Sequence, residues 1–420
     1  MIVDGMSYRR HGRALVALAL PLAGSQLAHA AVGLTDTIML GWYSVETLAA
    51  GVLANSIFFT LFVVGSGFAQ AVMPMVASAA SANDPQQIRR ITRMGLWLSL
   101  LTAACLMPIM WWCKPILELL RQDPEIASLT QTYMRIAGWS LFPALLVMVF
   151  RSYLAAQERA QVIFWITVLG GIGNALANWV LIFGKWGFPE FGIAGAAIAT
   201  LLNQLLVLAG LCFYALRALP EHALLQRMWR PDWEAFREVY RLGWPIGLTQ
   251  LAESGLFTGT AIMMGWLGTL QLAAHGIAMQ ITSTVFMIHI GLSLAGTVRA
   301  SRAFGVGDVA GLLRGGQVAL LLSLSLDKWV EPMTQAELTL PTLCETLATA
   351  GRTGVADVLT LRREIYSRSS QKMAPLDSSS QLPVCAHCGK AVQMLADPKP
   401  GSHVQVQVHS ASSDKPTTLI

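Results

Sequence analysis

The sequence predicts an all-α polytopic membrane protein. Three observations carry that prediction: the composition, a series of apolar runs of bilayer length, and a loop-by-loop alternation of positive charge. Of 420 residues, 54% are AVILMFWYC and only 13% are charged, where a soluble domain carries about 25% Asp, Glu, Lys and Arg. Mean hydropathy is +0.53. This balance excludes an ordinary soluble enzyme and a disordered scaffold. Six cysteines are too few for a disulfide framework in a chain of this length. Cys105, Cys113 and Cys212 lie in apolar runs and read as small packed hydrophobes. The first apolar run, from about Ala14, is far longer than the core of a cleavable signal peptide, so none is expected.

A spanning helix takes about 20 mostly apolar residues. Nine segments fit: roughly 14–40, 47–78, 92–113, 131–153, 161–184, 191–216, 241–266, 271–298 and 310–326, the last being short. After Asp327 no run of spanning length occurs, and Ser, Thr, Pro and Gln accumulate. Residues 327–420 therefore read as a non-membrane polar tail, partly disordered.

Lys and Arg set the orientation. One set of connections holds Arg9, Arg10, Arg13, Arg89, Arg90, Arg93, Arg151, Arg159, Arg217, Arg227, Arg230, Arg237, Arg241, Arg299, Arg302 and Arg314. The opposite set holds only Lys114, Arg121, Arg135 and Lys185. Sixteen cations against four, alternating along the chain, predict a cytoplasmic amino terminus in a multi-pass cell inner (cytoplasmic) membrane protein.

An internal duplication is also visible. A shift of 224 residues places Arg13 on Arg237, Pro21 on Pro245, Gln26-Leu27 on Gln250-Leu251, and Asp84 and Arg90 on Asp308 and Arg314. Ile38-Met39-x-Gly41-Trp42 falls on Ile262-Met263-x-Gly265-Trp266, and Leu48-Ala49-Ala50 on Leu272-Ala273-Ala274. Chance apolar similarity does not match Arg, Pro, Gln, Trp and Asp at one offset. The offset spans six helices, so the copies enter the membrane from the same side, as parallel repeats that face each other across a central cavity. The expected organisation is a complete six-helix first lobe over 1–224, a partial second lobe of about three helices over 225–326, and the tail over 327–420.

Polar residues at membrane depth are the candidate functional groups. Asp36 lies in the first apolar run with no Lys or Arg within helical reach. A carboxylate at that depth costs about 2.5–3.5 kcal/mol on insertion scales, so it should face the bundle interior or a water-filled cavity. Asn174 and Asn178 are one turn apart on one face of the fifth helix, where their amides can ligate a hard cation, bond a carboxyl or simply glue helices together. Glu253 is a second intramembrane carboxylate, whose repeat counterpart is His29, while Asp36 maps onto Thr260. The matched Pro21 and Pro245 read as hinges or as static kinks. In the tail, Cys385-Ala-His387-Cys388 with His403 and His409 is half of a zinc knuckle, a weak metal signal without a second Cys pair. No P-loop, HExxH or dinucleotide fingerprint occurs, and no enzymatic activity is expected.

With this repeat, the chain resembles the multidrug and toxic compound extrusion (MATE) family, in its NorM-like branch, over about residues 8–323. The resemblance rests on Pro21 followed by Gly33-Leu-Thr-Asp36-Thr-Ile-Met39-Leu-Gly41, on Asn174-x-x-x-Asn178-Trp-Val-Leu-Ile-Phe-Gly184, on Gly187-x-Pro189-x-x-Gly192-Ile-Ala-Gly195-Ala-Ala-x-Ala-Thr200, and on Pro245-Ile-Gly-Leu-Thr-Gln-Leu-Ala-Glu253. It implies a MATE-like helical bundle that exports organic cations and drugs by alternating access, driven by inward Na+ or H+. By the same resemblance Asp36, Asn174 and Asn178 belong to the ion-coupling set, and Glu253 to a cation site of the second lobe. The implied partners are small organic cation substrates and membrane lipid, with no nucleic acid, no cofactor beyond the coupling ion, and a monomeric state. Two other readings stay open: a non-transporting truncated or fused membrane protein whose tail binds a partner or metal, and a lipid-linked saccharide flippase.

Overall fold

The computed structural model describes residues 7–337, apart from 120–123, 225, 227, 231 and 268, together with 406–408 and 417–419. The chain divides into two units, Met1–Glu345 and Thr346–Ile420. In the second, β1 (Val406–Val408) pairs antiparallel with β2 (Thr417–Leu419), Val406 opposite Leu419. The tail's Cys385, Cys388, His403 and His409 lie outside the described residues.

The first unit is helical throughout: α1 (Tyr8–Tyr43), α2 (Val45–Ser81), α3 (Pro85–Trp111), α4 (Cys113–Leu119), α5 (Pro124–Ala137), α6 (Leu141–Ala156), α7 (Ala160–Phe183), α8 (Ile193–Ala218), α9 (Trp233–Leu267), α10 (Thr269–Gly305) and α11 (Val309–Glu337). All nine predicted segments fall on these helices. Segment 131–153 lies on α5 and α6, which a single 3-10 turn at Gly138–Ser140 joins. The ninth differs from expectation: α11 runs on to Glu337, beyond Asp327 where the apolar pattern stops. Among the described residues, eight helical stretches are long and apolar enough to cross a membrane. The stretch from α9 is not among them, because Gln250, Glu253, Ser254, Thr258 and Thr260 interrupt its apolar residues.

The sequence writes the helix ends. Ser44 closes α1 with its backbone N–H on the Leu40 carbonyl, and its Oγ accepts from the Thr47 N–H to start α2. Asp84 accepts from the Gln87 N–H at 2.9 Å ahead of Pro85, the first residue of α3. Gly184 stops α7 in the left-handed region at φ +61°, where a side chain would be strained.

The helix limits themselves recur at the offset of 224: α1, α2 and α3 correspond to α9, α10 and the start of α11. Local geometry recurs with them. Asp308 caps α11 through the Gly311 N–H at 2.7 Å, as Asp84 caps α3, and Asn83 and Gly307 ahead of them both have positive φ. Contacts obey the same exchange. α1 packs on α10 and α2 on α9, α2 packs on its own equivalent α10, and α3–α9 answers α1–α11. This is the contact pattern of a two-fold axis running between the two helix triplets.

The triplets touch most closely where small residues bring backbones together. A Cβ on Gly67 of α2 would strike the backbone of Gly243 and Gly247 on α9. At the equivalent crossing, a Cβ on Gly291 of α10 would lie 2.5 Å from Ala23 of α1. Phe68 stacks on Tyr240 at 5.7 Å, and Ser66 Oγ donates to Gln250 at 2.9 Å. These contacts sit toward the end bearing the amino terminus, here the inner end. There one core joins both triplets, uniting Leu15, Leu22, Val72 and Phe150 with Val239, Leu292, Ala295 and Val298. The core at the opposite, outer end draws only on residues between Leu40 and Ala197, with none from α9, α10 or α11 among the described residues. Gly33, Gly255 and Gly259 face open space there. Among the described side chains, the core that the two triplets share lies at the inner end.

One correction concerns charge. Arg151, counted above as a loop cation, lies inside α6 and donates to Gln26 Oε1 at 2.7 Å and Ser25 Oγ at 3.1 Å on α1. Another inner-end cation works as a staple. Arg90 binds Asp232 and Glu234 beside the start of α9, and its guanidinium holds the Asp232 carboxyl below the usual range.

Because its neighbours are backbone atoms that cannot rotate aside, Gly67→Val is expected to destabilise the fold by about 1–3 kcal/mol or more, and Gly291→Val likewise. Gly33→Ala, with open space around it, should be neutral or mildly stabilising. Thermal unfolding of the detergent-purified variants checks this ordering.

Candidate cation site

The site is built where α1 meets α7. Both helices are thin at their crossing: a Cβ on Gly24 would meet Phe164 at 2.9 Å, and one on Gly171 would meet Val32 at 3.0 Å. This approach brings Asp36 against the face of α7 that carries the two asparagines. Asn174 Nδ2 and Asn178 Nδ2 each donate to the same oxygen, Asp36 Oδ1, at 2.5 Å. Hydrogen bonds to an ionised acceptor are the short, strong ones. The asparagines are 1% and 0% exposed, and Asp36 is half-buried.

The remaining oxygens define what the site can do. Asn174 Oδ1 and Asn178 Oδ1 are buried and accept no hydrogen bond from a described residue. Asp36 Oδ2 takes none from a described residue, and no Lys or Arg among the described residues pairs with Asp36. A buried acceptor without a partner costs about 1–3 kcal/mol. Two such oxygens beside a carboxylate form an oxygen-rich, uncompensated negative site, the donor set that suits a hard cation. A proton on Oδ2 would neutralise the same charge. The buried Tyr133 on α5 shares a hydrogen bond with Thr200 on α8 and lies within electrostatic reach of Asp36. Sequence reasoning missed this pair. Thr200 closes a quoted motif and Tyr133 lies in an apolar run, but nothing in the spacing ties either to Asp36.

The other predicted residues are elsewhere. Glu253 is exposed on α9 and joins no hydrogen bond or ion pair among the described residues. Its repeat counterpart His29 is also exposed, on α1. Pro21 and Pro245 lie within α1 and α9, each of which continues as helix on both sides of its proline. No cluster of three or more His, Cys, Asp or Glu capable of holding a metal occurs among the described residues.

The MatE family model matches residues 21–180 and 245–327. A protein of Rhizobium meliloti (strain 1021) named "Probable multidrug resistance protein NorM" is 46% identical over 321 residues, covering 76% of this chain and 68% of that one. A protein of the same name from Agrobacterium fabrum is 43% identical over 310 residues, covering 73% and 67%. Among solved structures, a multidrug resistance MATE family transporter in an outward-facing conformation superimposes with a TM-score of 0.68 at 21% identity, over 76% of this chain and 71% of the other. At that identity the likeness concerns the fold.

The geometry makes the triad's energetics testable. Asp36→Ala leaves two buried amide donors unpaired and should lower stability by about 2–4 kcal/mol. Replacing all three residues by Leu removes both the donors and the need for them, and should recover much of that loss. A thermal-unfolding comparison of wild type, Asp36→Ala and the triple variant decides this.

Proposed function

The chain belongs to the MatE family, and from that premise we propose that it is a cation-coupled antiporter. In this reading it exports small organic cations and drugs across the cytoplasmic membrane by alternating access of its two repeat halves. It does so as a monomer, with its amino terminus in the cytoplasm and no covalent chemistry. The relatives' names support multidrug transport, and the charge asymmetry of the connections supports the orientation.

The observation that carries the coupling is the Asp36–Asn174–Asn178 triad with its two orphan amide oxygens. A fixed intramembrane negative charge without a counter-ion needs a cation, which inward ion movement supplies. The carboxylate and the amide oxygens favour Na+; a proton bound on Asp36 Oδ2 is the competing case. Because the triad spans α1 and α7, an ion held there changes the grip between them. It thereby biases α1, which also packs on α10 of the other triplet. A ligand shifts such an equilibrium only by its differential affinity for the two states. The ion site and the cleft between the triplets are therefore linked through the position of α1.

The decisive experiment is gradient-driven efflux. Purified protein in liposomes should move an ethidium-type dye under an imposed Na+ gradient, and Asp36→Asn should lose at least about tenfold of that rate. Movement driven by a pH gradient alone would replace Na+ by H+, and no movement from folded protein would end the transporter reading. Binding is measured separately: NaCl at about ten times Kd should stabilise the protein by about 1.4 kcal/mol over choline chloride of equal ionic strength. Asn178→Leu should abolish that increment.

A further inference from the structure

Some contacts between the triplets come in pairs related by the repeat. Arg93 lies 3.9 Å from Asp232, and the equivalent positions Gln317 and Tyr8 are joined by a 3.0 Å hydrogen bond. A contact between α10 and the α6–α7 turn stands apart from these pairs. At the inner end of α10, Arg302 donates from Nη2 and Nε to the carbonyl oxygen of Ala156 at 2.8 and 3.2 Å. Its Nη1 lies 3.2 Å from Glu158 Oε1. The repeat partner of Arg302 is Ser78, which has no charge to offer. Packing shared by the two halves therefore does not account for this contact.

The acceptor is well chosen. Ala156 ends α6, so its carbonyl is one of those a helix leaves without an internal partner, at the negative end of the helix dipole. Glu158 is presented by a tight turn, with φ +57° and its backbone N–H on the Ala155 carbonyl at 2.9 Å. One turn back on α10, Arg299 reaches His11 Nδ1 on α1 at 3.2 Å. The last residue of α10, Gly305, sits against Ser78 and Ser81 of α2. The end of α10 thus presses on α1, α2 and the α6–α7 turn together.

We propose that Arg302 is the inner latch of the transport cycle: its fork on the Ala156 carbonyl and Glu158 holds the inner end shut while the outer end is open, and its release admits substrate from the inner side. The proposal rests on the alternating-access reading above. For the inner end to open, α10 must leave the α6–α7 turn, and that breaks two charge-assisted hydrogen bonds and an ion pair. The side chains of Arg302 and Glu158 are 27% and 45% exposed, so water replaces the lost bonds and the latch is reversible. A fully buried pair would lock instead.

Spin-label distances test the latch without relying on transport. In the full-length protein with its native cysteines replaced, labels at Ala82→Cys and Val306→Cys report the inner end, and labels at Gly33→Cys and Gly259→Cys report the outer. Arg302→Gln should raise the long-distance inner population about tenfold and shorten the outer distance in step. Arg302→Lys, which keeps the charge but not the fork, should fall between, and Glu158→Gln should have the smaller effect. Inner distances in Arg302→Gln identical to wild type overturn the latch. So does broadening of both pairs, which marks general loosening. If Arg302→Gln does not fold, Arg302→Lys and Glu158→Gln decide by the same distances. Wild-type protein that moves no dye would sink the antiport reading while leaving the distance result standing, so the two failures are distinguishable.

Discussion

Where Gly67 meets Gly243 and Gly247, and where Gly291 meets Ala23, two pairs of helices approach until backbone rests on backbone. No side chain intervenes to cushion or tilt the crossing, so its position along each helix is set within a fraction of a turn. Everything beyond the crossing follows as lever arms. Toward the amino terminus the arms converge, bury a shared core and bring Arg90 to Asp232 and Arg302 to Ala156. Toward the other end, the second core draws, among the described residues, on the first half. Small residues here serve a mechanical purpose, since interfaces without a hydrophobic driving force depend on close packing.

The candidate cation site depends on a second close approach, that of α1 and α7 across Gly24 and Gly171. Asp36 contributes charge, and the two asparagines contribute the donors that hold it and the acceptors left over. That surplus gives the site its chemistry. A structural carboxylate tends to have its oxygens and its partners' oxygens satisfied, whereas here two buried amide oxygens have no donor among the described residues. Tyr133 on α5 lies within electrostatic reach of the same acid.

The two triplets share helix limits at one offset, and charged residues depart from that correspondence. Asp36 faces Thr260 across the repeat, Glu253 faces His29, and Arg302 faces Ser78. Each exchange places a charge, or a charged group's partner, on one side only. The helix limits, the Asp84 and Asp308 caps and the positive φ at Asn83 and Gly307 were meanwhile left in register.

Much of this was written along the chain. Apolar period and run length mark every long helix because hydrocarbon demands about the same length of helix each time. Asp36 stood out because an acid at that depth is costly, and the i, i+4 spacing of Asn174 and Asn178 set them on one face whatever surrounds them. The extent of α11 escaped, since a polar helix has no apolar period to betray it. Arg151 was misplaced because a cation near a helix end looks the same whether it points to water or reaches across to Gln26. The meeting of Asp36 with both asparagines, the nearby Tyr133–Thr200 pair and the grip of Arg302 on a helix-end carbonyl depend on distances between segments far apart in the chain. Helix formation is local and periodic, so the sequence by itself determines it; those distances arise only when glycine-lined surfaces pack, and the tertiary structure alone decides them.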